Sequence, residues 1–250
     1  MPMIQKQFKL SGYRFKPTWL GTLILIICVP LFIKLGLWQH NKAELKKEIQ
    51  STYTTGSSAD ALSLPSQLGK LDSWQYKKIK ITGSYDTQYQ ILLDNQVEND
   101  RAGFHVLTPL KIEGRNEYIL INRGWIAGGV MHHDIPTIDT PSEAVEIVGQ
   151  VWMPSKKIFT LESDAEKAIW NKVWQHMDMT RYQKNVPITV LPMVIKLDAK
   201  SNAGGFVRNW QIPASRIATN MGYAYQWFGF AFASILIYLF TGFKKITHES

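Results

Sequence analysis

A chain of 250 residues, 45% hydrophobic and 19% charged, has room for one large or two small domains beside any membrane segments. That composition excludes a disordered or low-complexity protein. Its formal charge of +8 is unevenly spread: residues 38–220 carry 21 Lys/Arg against 19 Asp/Glu, so the excess sits at the two ends. Charge at the flanks of apolar runs is a membrane pattern, and it argues against a nucleic-acid surface. The single cysteine, Cys28, excludes an intrachain disulfide, a CxxC redox pair and a cysteine metal cage.

In chain order, residues 1–18 form a basic tail with Lys6, Lys9, Arg14 and Lys16, expected in the cytoplasm. Residues 19–38 follow as the first transmembrane helix, broken only by Lys34, which can snorkel towards headgroups, and by Pro30, which should kink it. At ~1.5 Å per residue, about 20 residues cross the ~30 Å hydrocarbon core. Lys34, Leu35 and Trp38 stand where a small-x-small cleavage site would be, so the run reads as a retained anchor and not as a cleaved signal. Leu35, Trp38, Lys42, Leu45 and Lys46 share a face, which extends the helix beyond the bilayer, and Gly/Ser/Thr-rich Ser51–Ser58 reads as a loop.

Residues 39–220 should form a β-rich extramembrane domain. Lys78–Thr82 alternates, Gly83-Ser-Tyr-Asp86 reads as a turn, and Gln90–Leu93 and Phe104–Thr108 read as strands, the latter ended by Pro109. A hairpin connection at Glu113–Asn116 leads to Tyr118–Ile121, whose unbroken apolarity predicts a strand buried on both faces. Val145–Trp152 alternates again. Thr160–Lys184 reads as more helical, with Met177–Lys184 the best candidate, and Val190–Leu197 is a last strand interrupted at Pro192. The expected fold class is thus an α+β membrane protein, with two transmembrane helices flanking a mainly antiparallel β domain.

Residues 221–243 form the second span, without a charge and followed by Lys244 in a short cytoplasmic tail, 244–250. Tyr223, Tyr225, Trp227 and Phe228 crowd its first turns beside polar Asn220 and Gln226, either as an interfacial aromatic belt or as the wall of a site. Gly229 and Ala233 leave a small-residue stripe that another helix could approach. Basic outer flanks predict a two-pass protein with both termini cytoplasmic. No GxSxG, HExxH or phosphate-cradling glycine loop is present, so no enzyme is expected. His132-His133-Asp134 offers either a solvated loop or metal ligands. Asn122-Arg123-Gly124-Trp125 ends the buried strand, either as a core cap or as a corner that contacts a partner.

Several short stretches, in order along nearly the whole chain, resemble the Surfeit locus protein one family, which assists assembly of haem-copper cytochrome c oxidase. They are Leu35-Gly-Leu-Trp-Gln39, Gly83-Ser-Tyr-Asp86, Gly103-Phe-His-Val-Leu-Thr-Pro-Leu110, Ile121-Asn-Arg-Gly-Trp125 and Gly222-Tyr-Ala-Tyr-Gln-Trp-Phe228. The resemblance implies an inner-membrane respiratory-chain biogenesis factor that handles haem a, or stabilises its delivery, for oxidase subunit I alongside other assembly factors. Trp38, Gln39, Arg123, Gly124 and Trp125 are the implied partner contacts. The family's proposed haem-ligating histidine, three residues before the tyrosine of the second-span motif, is here Asn220, and the family's usual arginine is Lys42. An amide is a poor iron ligand beside imidazole, so the expected ligand moves to His40, with Tyr223, Trp227 and Phe228 as the apolar wall. A haem-independent scaffold for an oxidase assembly intermediate is the alternative. With no Arg/Ser-rich transit peptide, a bacterial inner membrane is expected over a mitochondrial one.

Overall fold

The computed structural model describes residues 9–10, 13–129, 135–155, 170–213 and 216–245. They divide into two compact units, residues 1–51 with 212–250, and residues 52–211.

The first unit is a helix pair. Helix α1 (Trp19–Ser58) carries an apolar run long enough to cross a membrane, and so does the helix that opens at Ile217 and closes at Gly242. Their apolar surfaces stay exposed, Ile26, Ile27, Phe232 and Phe240 among them, as a lipid-facing helix requires and a soluble one does not tolerate. A small antiparallel sheet closes this unit: β1 (Lys9–Leu10) and Phe243–Lys245 both pair with β2 (Tyr13–Phe15). Phe15 lies edge-on to Tyr238, their ring centroids 5.8 Å apart, and covers Gly242, where any Cβ would collide with its ring.

The second unit is a β barrel with additions. Its strands are β3 (Leu62–Ser63), β4 (Lys78–Tyr85), β5 (Ile91–Glu98), β6 (Arg101–Ile112), β7 (Tyr118–Ala127), β8 (Val145–Trp152), β9 (Val173–Trp174) and β10 (Val190–Leu197). Their order is β3-β4-β8-β10-β7-β6-β5-β9, and a further β4–β6 pairing joins β4, β8, β10, β7 and β6 into a closed ring. Most ladders are antiparallel, but β7–β10, β3–β4 and β5–β9 are parallel. A short helix α2 (Met179–Asn185), N-capped by Asp178, packs on β10; helix α3 is the second span, Ile217–Gly242.

Side-chain alternation divides most of the buried residues between two large clusters, with Leu92, Phe104 and Val106 forming a smaller third. Ile79, Ile81, Ile119, Ile121, Ile147 and Ile195 fill one; Leu107, Leu120, Val194, Trp174 and Tyr182 fill the other, beneath α2. Strands β7 and β10 contribute to both, which is why Tyr118–Ile121 and Val190–Leu197 are apolar throughout. Each such aliphatic side chain contributes roughly 1.5–3 kcal/mol.

Several local expectations are corrected. Gly83 is not in a turn: β4 continues to Tyr85, and Gly83 is where β4 passes from β8 to β6, its Cα too close to the Lys111 carbonyl for a side chain. Pro109 does not end β6. It sits between the residues that pair with β5, ending at Leu107, and those that pair with β4, beginning at Leu110, so its missing N–H deprives no ladder. The buried strand does not end at Asn122–Trp125 but runs to Ala127. Ser51–Ser58 is helical and not a loop, because Gln150 Nε2 donates to the Tyr53 carbonyl and Ser57 Oγ, and Gly56 packs directly on the Tyr76 carbonyl. Of the segment expected to be more helical, α2 alone is helical among the described residues; Val173–Trp174 is a strand and 156–169 lie outside them.

Candidate functional site

Helices α1 and α3 meet along one face each. On α1 this face carries Phe32, Gly36, Gln39, Ala43 and Lys46, alternating steps of three and four residues that bring a side chain back to one stripe. Gly36 and Ala43 are the buried members on α1, and Asn220, Ala224 and Ala231 on α3. Phe228 lies against Gly36, where an added Cβ would fall 2.5 Å from its ring. Small residues in the pair are thus drawn from α1 as well as α3. Gly229 and Ala233, the stripe visible in sequence, face outward instead.

At one end of this seam sits a polar clamp. Asn220, only 8% exposed, donates from Nδ2 to Gln39 Oε1 at 2.7 Å and accepts from Lys46 Nζ at 2.9 Å. A buried amide left unpaired in such a place would cost about 1–3 kcal/mol, so these bonds fix the register of the helices. Next along the seam, Phe32 stacks on Trp227 at 5.8 Å, and Phe230 closes edge-on against Trp227 at 5.8 Å. At the other end Thr22 Oγ1 and Tyr238 Oη are 2.9 Å apart.

The sequence-derived candidates fall into two groups. His40 is half-buried and adjacent to Gln39, hence at the level of Asn220 along the pair. Trp227 and Phe228 take part in the aromatic packing, whereas Trp38 and Tyr223 are exposed, with Lys42 Nζ 5.2 Å from the Trp38 ring. Both polar atoms of the Asn220 amide are engaged, Nδ2 by Gln39 and Oδ1 by Lys46. His40 is an imidazole at the level of this clamp, one residue from the Gln39 that Asn220 holds. Phe32 is missed by sequence reasoning, and Lys46, grouped there with Leu35, Trp38, Lys42 and Leu45, belongs instead to the seam with Asn220; the three-and-four spacing around Gly36 is the signal that would have placed both.

Arg123, Gly124 and Trp125 lie in the β unit. Arg123 is fully buried. Its Nε donates to the Gly204 carbonyl at 2.7 Å, Nη1 to Thr140 Oγ1 at 2.7 Å, and Nη2 to the Asp139 carbonyl. The guanidinium lies between the Tyr85 and Phe206 rings, at 4.8 and 4.9 Å. Burial pushes the Tyr85 phenol up to about 12, against the pull of Arg123 and Arg208. Trp125 is 8% exposed and donates from Nε1 to the Gln96 carbonyl. The Arg123 and Trp125 side chains are thus both turned into the β unit. His132, His133 and Asp134 lie outside the described residues; among those described, no cluster of His, Cys, Asp or Glu could hold a metal.

A second polar site in the β unit has no counterpart in the sequence reading. Lys196 on β10 has its ammonium 5.2 Å from the Trp152 ring and 5.3 Å from the Trp210 ring, and Trp210 lies edge-on to His105 at 5.4 Å. Burial lowers the pKa of Lys196. Burial, and secondly the Lys196 charge, lower that of His105 to about 4, so its imidazole is neutral at pH 7. Lys196 lines a cleft of about 260 Å³ with Tyr53, Lys78, Asp198, Arg208 and Trp210.

Two long apolar helices, packed through a polar clamp and flanking a closed β domain, define a membrane-associated protein with a folded extramembrane module. The chain belongs to the SURF1 family, whose model matches residues 26–232. It is similar to the SURF1-like protein of Rickettsia felis, 28% identical over 87% of this chain and 94% of that one. It is also similar to Surfeit locus protein 1 of Takifugu rubripes, 23% identical over 85% of this chain and 92% of that one. The cytochrome oxidase assembly protein SHY1 of Saccharomyces cerevisiae is 23% identical over 71% of this chain and 47% of its own length.

Proposed function

We propose that this protein is an assembly factor for haem-copper cytochrome c oxidase and not an enzyme. The observation that carries the reading is the family match across both helices and the β unit, together with the assembly role that the yeast relative's name states. In this reading the helix pair anchors the protein in an inner membrane with both termini cytoplasmic. Residues 39–220 act outside the cytoplasm, on oxidase subunit I and its other assembly factors. The basic flanks favour that orientation.

Haem a is the transient cargo in the finer form of this reading. Its iron takes His40, and the Phe32–Trp227 stack with Phe228 supplies apolar surface for the porphyrin. Asn220 holds the helices in register beside the ligand and does not itself bind. A haem-independent scaffold is the second reading, favoured by the commitment of the Asn220 amide to Gln39 and Lys46.

A visible spectrum of the detergent-purified full-length protein, from cells that synthesise haem a, separates the two. The carrier reading expects a stoichiometric Soret band that is lost in His40→Ala while the protein stays folded. A band that His40→Ala leaves unchanged would remove His40 as the ligand. Folded parent protein without a band would leave the scaffold.

A further inference from the structure

We propose that the cleft beside Lys196 is a binding site for a small dianion, such as a phosphate group or a dicarboxylate. The inference concerns the β unit alone and does not rest on the assembly reading. Four charged residues line the cleft: Lys78, Lys196 and Arg208 against Asp198. The excess of two positive charges is met by a ligand of charge near −2.

The cations differ in how they are already engaged. Arg208 Nη1 donates to the Asp198 and Ser201 carbonyls, both at 2.8 Å, and Nε donates to the Phe206 carbonyl. Those bonds hold the guanidinium rigidly at the wall. Lys78 Nζ lies 3.4 Å from Asp198 Oδ2, and Asp198 Oδ1 accepts from the Lys200 backbone N–H. Lys196 has no carboxylate partner among the described residues; its ammonium meets only the Trp152 and Trp210 faces. Aromatic faces compensate an ammonium less well than an anion does. Trp210 is itself fixed, its Nε1 donating to the Leu197 carbonyl at 2.8 Å, so the site is preorganised around Lys196. Asp198 works against an anion, and its tie to Lys78 and Lys200 is what lets the cleft remain positive.

The test is isothermal titration of the full-length protein in detergent with inorganic phosphate and with succinate, at pH 7 and near-physiological salt. Quenching of tryptophan fluorescence on binding, reduced in Trp210→Phe, locates the site. We expect saturable binding of at least one probe, weakened about tenfold in Lys196→Gln. Lys78→Gln, which leaves the lysine–tryptophan packing intact, should weaken binding in the same direction and serves if Lys196→Gln does not fold. Saturable binding of neither probe overturns the proposal, and so does binding of undiminished strength in a folded lysine variant. In either case the tryptophans serve only to shelter a structural lysine.

Discussion

Replacing Arg123 by alanine is expected to destabilise the β unit by about 3–5 kcal/mol, from buried carbonyls left without a donor and from the cavity that remains. The side chain is fully buried and satisfies the Gly204 and Asp139 carbonyls, which lose their donor together when it is removed. The Tyr85 and Phe206 rings then face a cavity in place of the guanidinium plane. Arg123→Lys should recover only part of the loss, since an ammonium cannot reproduce a planar fork that reaches carbonyls on two segments. Thermal unfolding of the full chain in detergent, followed by the β signal in circular dichroism, measures both. A midpoint for Arg123→Ala within a degree or two of the parent would contradict the account.

Gly124→Ala should be comparably severe, roughly 2–6 kcal/mol, from backbone strain of ~1–3 kcal/mol and forced overpacking of similar size. Gly124 has φ of 116°, a region that costs any residue with a Cβ. Its added Cβ would lie 2.6 Å from the Val207 carbonyl oxygen, on a segment bonded to β7 by Trp125 N–H to Val207 at 2.7 Å and by Phe206 N–H to Arg123 at 2.8 Å. Relief requires that segment to move, and Phe206 and Gly204 on it are the groups that enclose Arg123. The two substitutions are therefore expected to be less than additive when combined. The same unfolding experiment tests this, and additive losses would show that the crossing segment is not shared.

How far the sequence foretells this molecule follows from which face each residue must satisfy. The helices were legible because lipid imposes one rule on every outward residue. Strands β7, β8 and β10 were legible because alternation or unbroken apolarity records one buried face or two. Barrel closure was not, since the contact of β4 with β6 leaves only a glycine at position 83, which also reads as a turn. Pro109 misleads for a related reason: its cost depends on which neighbouring strand reaches that residue, and sequence does not record neighbours. The extension of α1 to Ser58 defeats a Gly/Ser/Thr composition through contacts with Gln150 and Tyr76, nearly a hundred and about twenty residues away in the chain.

The candidate site was legible in part. Gln39 and Asn220 could each be singled out as polar residues beside apolar spans, but their bond could not, because a helix pair states no register until its small residues are aligned. Arg123 reads as a surface or partner residue in any strand, and only the structure reveals carbonyls and rings arranged around it. Lys196 reads as the solvent-facing member of β10, and the indoles that enclose it come from β8 and from residue 210, elements with no sequence tie to it.

The central claim, that this chain supports assembly of cytochrome c oxidase, is tested most directly in membranes of cells that lack it. The measurement is oxidase activity together with the reduced-minus-oxidised spectrum of a-type haem, compared with cells in which the full-length chain is restored. The account predicts that both fall together when the chain is absent and return together on restoration. Unchanged activity and an unchanged a-type spectrum in its absence would contradict it.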